Sequence, residues 1–503
     1  MSWTRLDYLA HRWTGTVLGA MVFVWFASGI AMLYYPWPRL TESSELAILR
    51  PFEPDSSLVG FFRAWTAASG ALRANGAAAE LVSGRLQLLG GRPIYQLQGD
   101  GGGEPLPAVA VDARTGEVLS PVGPALALAA ARDVVGAAPR LLGQELLRRG
   151  DRYMMNGEYA AEFPAYRVRF GDAVRTAVYV SSRGGSPFAV VTRLTRFTTW
   201  TGTVPHWLYF RWLYDRYPIW NWTIILVGSA GVLLGLTGIV WGTTQLVRRR
   251  GQGGRLTGYR GLSRWHHLAG IGFGILVVTW CLSGVWQNLG AGGSPRPGQA
   301  AAMRGGATHW DAVRLSEAQA LGRLRAWNGG RVQAVAVDLR QFDGRPGFEI
   351  HLADGGAAWI DAATGEPRGE IPAAALLGAA RRVMGDSVPV QRVERIVSAD
   401  DYYYARHGRE VHLPAWRVTF GDREASRLYL DPVSGRPTAF VDRAGRRSRW
   451  MRDALHSFDF RALARRRPLW DVVMLVSLTG GLLSSGSGLL LALRRLRRAR
   501  ARG

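Results

Sequence analysis

The stretch HRWTGTVLGAMVFVWFASGI, from His11 to Ile30, decides the fold, because it is apolar over about the 20 residues that a helix needs to cross a bilayer. It begins with a histidine, and Gly15 and Gly19 follow that histidine at intervals of four residues. Positions i, i+4 and i+8 share one face of a helix, so both glycines lie in line with His11. A titratable group at the edge of such a helix is costly and usually functional.

Three more stretches are equally long and apolar. The predicted transmembrane helices are roughly Thr14–Tyr35, Ile219–Val247, Leu268–Leu289 and Leu469–Leu493. Two long segments of mixed polarity separate them, and a chain of 503 residues is too long for one ordinary core. We therefore expect four membrane helices that carry two large extramembrane domains.

The net charge of +24 is distributed as in a membrane protein. Arginines concentrate in the link between the second and third helices and in the C-terminal tail, at Arg248, Arg249, Arg250, Arg255, Arg260, Arg264, Arg494, Arg495, Arg497, Arg498, Arg500 and Arg502. Short basic flanks mark the cytoplasmic side, so both termini are expected there and both long segments in the periplasm of a bacterial inner membrane. This pattern argues against nucleic-acid binding.

Residues recur at constant offsets along the chain. An offset of 255 relates His11 to His266, Gly15 to Gly270, Gly19 to Gly274, Trp25 to Trp280 and Ser28-Gly29 to Ser283-Gly284. An offset of 250 relates His206 to His456, Pro218 to Pro468, Trp220 to Trp470, Gly231 to Gly481, Gly238 to Gly488 and FPAYRVRFGD to LPAWRVTFGD. The pattern predicts an internal duplication of helix, outer segment and helix. We interpret the Ser-Gly pairs as helix-packing residues.

Each outer segment contains strand–turn–strand signals. They are VDARTGE (Val111–Glu117), VSSRGGSP (Val180–Pro187), IDAATGE (Ile360–Glu366) and LDPVSGRP (Leu430–Pro437). Helical stretches precede the strands, and LSEA supplies a helix N-cap at Ser316. Each segment is therefore expected to be α+β, with a helix followed by about three antiparallel strands, twice over.

The predicted organisation follows from these signals. Its parts are the first transmembrane helix (1–37), a periplasmic domain (38–200), an interfacial segment with the second helix (201–250), a basic cytoplasmic loop (251–264), the third helix (265–290), a second periplasmic domain (291–450), and an interfacial segment with the fourth helix and a basic tail (451–503).

Of the nine histidines, only four recur across the repeat. His11 and His266 are predicted near the cytoplasmic edge, and His206 and His456 near the outer edge. Two histidines at one depth, from two helices, form the usual arrangement for the axial ligands of a haem iron. The sequence therefore predicts two haem b groups, with His267 as a possible substitute for His266.

The glycines support this expectation for the inner pair. Gly15, Gly19, Gly270 and Gly274 would give a haem ring side-chain-free helix surface beside its histidine. Small-xxx-small helix packing explains the same glycines without a cofactor, and interfacial anchoring explains the histidines. For the outer pair, His206 belongs to the aromatic stretch PHWLYFRWLYDRYP, which either dips into the bundle or lies along the interface.

The His-x3-Gly-x3-Gly openings, the histidine-bearing second spans and the VDAxTGE hairpins together resemble the PepSY-associated transmembrane family, which includes FoxB-like inner-membrane ferric-siderophore reductases. The resemblance covers essentially the whole chain. It implies PepSY-like periplasmic domains and a di-haem electron carrier that reduces a ferric siderophore in iron uptake. The alternative is a haem-free PepSY scaffold or regulator that binds peptide or restrains a periplasmic protease.

Other sequence features limit the chemistry. No GxGxxG motif joins a strand to a helix, and P-loop, HExxH and GxSxG motifs are absent, so electrons must come from a cytoplasmic reductase or from membrane quinol. Cys281 is the only cysteine, which excludes an internal disulfide.

Two further groups of residues stay open. The arginines between Arg443 and Arg452 would attract an anionic chelate or, as we prefer, form a solvated face or contact lipid headgroups. Of the histidines without a repeat partner, His407 and His412 are candidates for a role in substrate binding.

Overall fold

The computed structural model of the protein describes residues 3–34, 38–74, 80–100, 106–155, 157–251, 257–290, 299–306, 308–330, 332–405 and 410–501. The helices are α1 (Trp3–Met32), α2 (Glu42–Ile48), α3 (Phe61–Ala74), α4 (Pro124–Val135), α5 (Arg193–Thr198), α6 (Val204–Trp207), α7 (Arg211–Tyr214), α8 (Tyr217–Gly251), α9 (Gly261–Asn288), α10 (Gln299–Arg304), α11 (Glu317–Asn328), α12 (Ala373–Met384), α13 (Arg443–Ser448), α14 (Leu455–Ser457), α15 (Arg461–Ala464) and α16 (Leu469–Arg500).

The strands are β1 (Glu80–Leu89), β2 (Arg92–Asp100), β3 (Val109–Asp112), β4 (Leu141–Leu147), β5 (Ala165–Phe170), β6 (Ala177–Ser181), β7 (Pro187–Val191), β8 (Ala334–Phe342), β9 (Arg345–Leu352), β10 (Ala357–Asp361), β11 (Pro367–Arg368), β12 (Val390–Ile396), β13 (Ala415–Phe420), β14 (Arg427–Leu430) and β15 (Pro437–Val441). Short 3-10 helices occupy Gly157–Glu162 and Trp310–Ala312, and π-helical turns occupy Thr199–Thr203 and Arg449–Ala454.

The chain divides into two compact units. The helical unit contains Met1–Trp37, Phe197–Gly293 and Ala444–Gly503, and the α+β unit contains Pro38–Arg196 and Ser294–Arg443. These limits lie within seven residues of the predicted domain boundaries.

The four predicted long helices are present in the helical unit. The stretches apolar enough to cross a membrane are Arg5–Met32, Tyr217–Arg250, Gly261–Asn288 and Leu469–Arg500. By length and composition they give the chain the character of a multi-pass membrane protein. The helices extend beyond the apolar runs because their basic ends continue the same helical backbone.

The bundle has a cyclic arrangement. Helix α1 packs against α8 and α16, and α9 packs against the same two helices, so α1 and α9 lie on opposite sides of the bundle. Two of the glycines approach neighbouring helices closely: a Cβ at Gly231 would lie 2.6 Å from Sγ of Cys281, and one at Gly481 would overlap the ring of Phe26. Small residues let membrane helices approach closely, which the packing interpretation of such glycines predicted.

A seven-stranded antiparallel sheet organises the α+β unit. Its strand order is β11-β10-β9-β8-β1-β2-β3, and β1 pairs with β8 from Gly84↔Leu339 to Gln87↔Ala336. The two long segments were expected to form separate domains, but this sheet draws strands from both. Pairing β1 with β8 satisfies two strand edges that would otherwise remain open, and periodicity within one segment carries no information about such a partner.

Two four-stranded sheets complete this unit, with orders β4-β5-β6-β7 and β12-β13-β14-β15. Helix α4 packs on the first around Ala127 and Phe170, and α12 packs on the second around Ala379 and Phe420. Each sheet therefore buries one apolar face beneath a helix.

The four predicted turns are confirmed. In three of them an aspartate side chain accepts hydrogen bonds from backbone N–H groups of the turn, and a glycine with positive φ follows at +72° to +79°. These are Asp112 with Gly116, Asp361 with Gly365 and Asp431 with Gly435. In the fourth, Ser181 takes the place of the aspartate and Gly185 has a φ of +79°. Aspartate caps such turns, and glycine adopts positive φ without strain.

The predicted N-cap of α11 is also confirmed. Ser316 accepts a hydrogen bond from the backbone N–H of Gln319, whose side chain bonds back to the Ser316 backbone. The next residue, Glu317, is only 3% exposed among apolar core residues. Its Oε1 accepts hydrogen bonds from the hydroxyl of Tyr95 (2.9 Å) and the backbone N–H of Phe61 (3.2 Å), which ties α11 to β2 and α3.

Burial raises the pKa of Glu317 above its ordinary value. A raised carboxyl pKa contributes stability below the unfolded-state pKa of about 4.3 and loses it as pH rises through the folded-state pKa. Glu317→Gln keeps an acceptor oxygen but does not ionise. We therefore expect the free energy of unfolding of the wild type, minus that of Glu317→Gln, to fall as pH rises from about 4.

Denaturant titrations followed by tryptophan fluorescence at several pH values measure this difference. Glu366→Gln, at an exposed carboxyl on the same unit, is the matched control and should show no comparable trend. A difference between wild type and Glu317→Gln that stays constant with pH would contradict the expected raised pKa.

Candidate functional site

The inner histidine pair faces across the helical bundle. His11 lies on α1 and His266 on α9, the two helices on opposite sides. Their ring centroids are 6.1 Å apart and the rings are inclined by 29°. The structure thus brings together the two histidines that the 255-residue offset relates.

Backbone carbonyls fix the tautomer of this pair. Nδ1 of His11 lies 3.2 Å from the carbonyl oxygen of Leu234, and Nδ1 of His266 lies 3.0 Å from that of Ser484. A carbonyl oxygen only accepts, so Nδ1 carries the proton in both rings and Nε2 keeps its lone pair. Leu234 and Ser484 are 250 residues apart, so the two bonds follow the sequence repeat.

Two glycines that the sequence analysis gave no role support these rings. A Cβ at Gly238 on α8 would lie 2.7 Å from Cε1 of His11, and a Cβ at Gly488 on α16 would lie 2.9 Å from Cε1 of His266. The imidazoles therefore rest directly on the neighbouring helices. The recurrence of Gly238 and Gly488 at the 250-residue offset was the available signal, but it does not show which side chain each glycine admits.

A cavity of about 850 Å³ surrounds the inner pair. It is lined by His11 and His266 together with the four predicted glycines, Gly15, Gly19, Gly270 and Gly274. Positions where a Cβ would meet nothing closer than 3.4 Å are Gly15, Gly19 and Gly270, whereas Gly274 also packs against Ile239 at 3.2 Å. The volume is within the range of pockets that hold cofactor-sized ligands.

Arginines line the same cavity. They are Arg12, Arg260, Arg494, Arg495 and Arg498. The Nε of Arg12 is buried and has no hydrogen-bond partner among the described residues. Buried polar groups are normally satisfied, so this nitrogen is a candidate donor to an acidic group of a ligand.

His267 does not take the place of His266. It is buried, with Nε2 3.1 Å from the carbonyl oxygen of Gly242 and its ring 5.2 Å from that of Tyr259. Consecutive helical residues point in directions about 100° apart, so His266 and His267 cannot both face His11. His267 lines the cavity, but His266 faces His11.

The outer histidine pair is also assembled in the helical unit. His206 on α6 and His456 on α14 have ring centroids 6.0 Å apart and planes at 86°. Each histidine follows a π-helical turn, Thr199–Thr203 or Arg449–Ala454, and such turns often occur at functional sites. Of the two expected positions for this aromatic segment, the structure shows the one in which the histidine meets the bundle.

Serine hydroxyls fix the outer rings. Nδ1 of His206 lies 3.1 Å from Oγ of Ser28, and Nδ1 of His456 lies 2.8 Å from Oγ of Ser283. Each hydroxyl donates its single proton to a backbone carbonyl three residues earlier, of Trp25 or of Trp280. It must therefore accept from the imidazole, so Nδ1 is protonated in both outer rings as well.

This contact corrects the interpretation of the Ser-Gly pairs as packing residues alone. Ser28 and Ser283 bind histidines from another helix, and Trp25 adds a hydrogen bond from Nε1 to the carbonyl oxygen of His206 at 3.0 Å. Packing remains part of the role of Gly29, where a Cβ would lie 3.0 Å from Cδ2 of Leu478. The sequence could not distinguish the two roles because serine is common in both.

The two pairs lie at different levels of the bundle. His11 and Ser28 are both on α1, and His266 and Ser283 are both on α9. Each interval is 17 residues, which spans about 25 Å at the helical rise. This approaches the roughly 30 Å thickness of the hydrocarbon core of a bilayer.

The spacing within each pair suits a metal ion between two imidazoles. A bond from an imidazole nitrogen to a transition metal is about 2 Å and the nitrogen lies about 1 Å from its ring centroid, so two rings that share a metal have centroids about 6 Å apart. Both observed separations, 6.1 and 6.0 Å, match that value. Hydrogen bonds from the opposite ring nitrogen to protein acceptors are the usual support of metal-bound histidine.

The remaining histidines lie elsewhere. His309 is exposed, and His351 is buried beside Asp338 and Glu349, with the potential ligand atoms of all three within 4.8 Å. Asp338 is already bonded to Arg85 at 2.6 Å and to Arg340 at 2.9 Å, so this cluster is an ion-pair network. His407 lies outside the described residues, and His412 is exposed at a cavity of the α+β unit.

The arginines between Arg443 and Arg452 are not simply a solvated face. Arg449 is only 6% exposed and donates to the carbonyl oxygen of Asp459. Arg452 pairs with Asp453 at 2.6 Å, and Arg443 donates to the carbonyl oxygen of Arg423 at 2.7 Å. Intramolecular contacts therefore account for several of these charges.

Comparison with known proteins adds no family. No model of a known protein family matches the chain, and no curated protein matches it either. A functional assignment therefore depends on the geometry of the two histidine pairs and their surroundings.

The close contact between Gly238 and His11 makes a prediction about stability. Gly238→Ala would push a Cβ against the imidazole of His11, which its hydrogen bond to Leu234 holds in place. We therefore expect a loss of about 1–3 kcal/mol in the free energy of unfolding. Gly272→Ala on α9 is the matched control, because a Cβ there meets nothing within 4 Å. Unfolding in mixed micelles measures both variants, and equal stabilities would show that the ring does not rest on Gly238.

Proposed function

We propose that the chain is a di-haem b-type transmembrane electron carrier that reduces a ferric chelate, a ferric siderophore, on the outer side of a bacterial inner membrane. The observation that carries the proposal is the presence of two facing imidazole pairs, 6.1 and 6.0 Å across, about 25 Å apart along the bundle. One pair alone would suit a structural metal. Two pairs at opposite levels suit the passage of electrons across a bilayer.

Haem b, when bound, supplies an iron that takes up and releases one electron. His11 and His266 would hold the inner group through Nε2, because Nδ1 of each is committed to a carbonyl. His206 and His456 would hold the outer group in the same tautomer. Carbonyl and hydroxyl acceptors orient each ring and make its metal-binding nitrogen more basic.

The inner cavity fits the rest of such a group. Gly15, Gly19 and Gly270 leave helix surface without side chains beside the histidines. The arginine side chains at the cavity, with the buried Nε of Arg12 among them, would neutralise the two propionates. A helix-packing role explains the glycines but not the buried Nε of Arg12 without a partner among the described residues at the same cavity.

The direction of transfer rests on charge. The basic ends of α8 and α16 support a topology with both termini and the link in the cytoplasm and the α+β unit in the periplasm. A cytoplasmic reductase or membrane quinol would deliver electrons to the inner pair. Reduction would release the iron, because hard oxygen ligands hold Fe(III) more tightly than Fe(II). The offsets of 255 and 250 support an origin by internal duplication, although the two halves meet in one shared sheet.

Removing one ligand should remove one cofactor. We expect the purified wild type to contain about two b-type haems per chain, by pyridine haemochrome assay and by reduced-minus-oxidised visible spectra. His11→Ala or His266→Ala should lose the inner haem and keep the outer one. His309→Ala, at an exposed histidine of the α+β unit, is the matched control and should retain both.

The same preparations test the alternative. A chain that contains no haem after expression with adequate haem supply would contradict the carrier and favour a scaffold or regulator. If His11→Ala abolishes the outer haem as well while the protein stays folded, the assignment of ligands to pairs is wrong. Anaerobic mixing of reduced protein with ferric chelates tests the acceptor, since reoxidation by none of them would exclude iron.

The serine hydroxyls should tune the outer group. Ser283→Ala removes the acceptor of His456 Nδ1 and makes that imidazole a weaker donor, so the reduced iron is relatively favoured. We expect the midpoint potential of one haem to rise by an amount on the order of tens of millivolts, with haem content unchanged. Thr223→Ala is the matched control, because among the described residues that hydroxyl bonds to a carbonyl of its own helix, of Ile219, and it does not line the inner cavity. Unchanged potentials in Ser283→Ala would contradict the role of the hydroxyl.

A further inference from the structure

The seven-stranded sheet of the α+β unit has a buried face that is polar. Gln96, Arg85, Asp338 and Glu349 stand directly opposite one another across β2, β1, β8 and β9. The next positions along the same strands, Tyr95, Leu86, Val337 and Ile350, point to the other face and are fully buried in the apolar core. Asp338 and Glu349 are buried, and Arg85 and Gln96 are half-buried. Sheets usually bury apolar faces, so a row of charged and amide side chains at such positions needs another explanation.

This polar face borders a cavity of about 610 Å³. The sheet contributes Arg85, Gln96, Asp338 and Arg340 to its lining. Ion pairs join the charged groups, with Asp338 2.6 Å from Nε of Arg85 and 2.9 Å from Nη2 of Arg340. Arg85 donates to Asp338 from Nε and Nη2, so the N–H groups of Nη1 can donate to a further acceptor.

Helix α2 and the β14–β15 turn line the cavity on the other side. The two guanidinium ends of Arg436 contact the carboxylate of Glu42 at 3.0 and 2.9 Å. The backbone N–H of Ser43 donates to Glu410 at 3.0 Å. Helix α2 has no buried residue of its own, so these polar contacts, and not an apolar core, hold it beside the cavity.

Two groups at this cavity lack a partner among the described residues. The carboxyl of Glu45 on α2 makes no ion pair or hydrogen bond there, and the hydroxyl of Thr438 is buried without an acceptor or donor. Burial raises the pKa of Glu45 to about 7. The positive charges of Arg85 and Arg39 lower this pKa, and the negative charges of Glu162 and Glu42 raise it. Unsatisfied groups in a polar cavity indicate what a ligand would supply.

From this arrangement we infer that the α+β unit binds a small polar solute that carries both an ammonium group and an oxyanion. The ammonium would pair with Glu45, whose carboxyl has neither an ion pair nor a hydrogen bond among the described residues, whereas Glu410 accepts hydrogen bonds from Ser43. The oxyanion would accept from Nη1 of Arg85, and Thr438 would complete the hydrogen bonding. A cation alone would leave the Nη1 N–H groups of Arg85 without an acceptor, and an anion alone would approach the Glu45 carboxyl without a cation to pair with it.

The site is independent of the proposed electron transfer, because every residue that carries it belongs to the α+β unit. Its assignment can therefore fail or succeed without any change in haem content. The volume is sufficient for solutes well above the size of a free amino acid.

Isothermal titration calorimetry on the purified full-length protein tests the inference with three probes of similar size. Lysine offers both charges, citrate offers oxyanions alone, and mannitol offers neutral hydroxyls. We expect lysine to bind saturably, and at least about tenfold more tightly than citrate or mannitol. Because an ammonium favours ionised Glu45, lysine binding near pH 7 should release a proton, seen as a heat that depends on the ionisation enthalpy of the buffer.

Variants separate this site from adventitious binding. Glu45→Gln should weaken lysine binding about tenfold and abolish the proton release, while Glu117→Gln, at an exposed turn, should change neither. Ala108→Trp should fill the cavity and abolish binding, with the thermal unfolding temperature checking the fold. The inference is overturned if no probe binds up to about 10 mM, if citrate or mannitol binds as well as lysine, or if Glu45→Gln binds lysine like the wild type.

Discussion

An imidazole within a membrane bundle must donate a hydrogen bond from its N–H to a protein acceptor, because the hydrocarbon core offers no water to accept it. All four facing histidines meet this requirement in the same way, through Nδ1. The acceptors are the carbonyls of Leu234 and Ser484 in the inner pair and the hydroxyls of Ser28 and Ser283 in the outer pair. The hydrogen bond at Nδ1 leaves the lone pair on Nε2, the nitrogen on the other side of the ring. Each ring is therefore suitable as a metal ligand through Nε2.

The helix arrangement makes these bonds possible. Since α1 and α9 lie on opposite sides of the bundle, a histidine on each can point across its centre while α8 and α16 provide the support. Because Gly238 and Gly488 have no side chain, an imidazole can pack directly on the helix backbone there. The carbonyl oxygen one turn earlier, of Leu234 or Ser484, accepts the hydrogen bond from its Nδ1. The histidine pair and the glycines beneath it therefore depend on each other.

Much of this could be predicted from the sequence, and for identifiable reasons. Long apolar runs and Asp–Thr-Gly turns are local signals, so the four spans, the hairpins and the Ser316 cap were found. Constant offsets predicted which histidines would meet, although their role as haem ligands stays a prediction. What the sequence could not show is non-local: the partner of Ser28, the choice of His266 over His267, and the pairing of β1 with β8. Each depends on which elements become neighbours, and a single chain's periodicity does not specify that.

The two units show opposite uses of buried polar groups. In the helical unit each histidine has a protein acceptor on one side, and the geometry leaves a space of metal-binding dimensions on the other. In the α+β unit Arg85 and Arg340 pair with Asp338 and Glu349, while the Glu45 carboxyl and the Thr438 hydroxyl beside them have no partner among the described residues. A buried ion pair contributes little net stability, since desolvation offsets its attraction, so stability alone does not explain why a sheet keeps such a face. The inferred ligand binding would explain it, because paired charges of fixed geometry offer a preorganised surface to a solute that carries both signs.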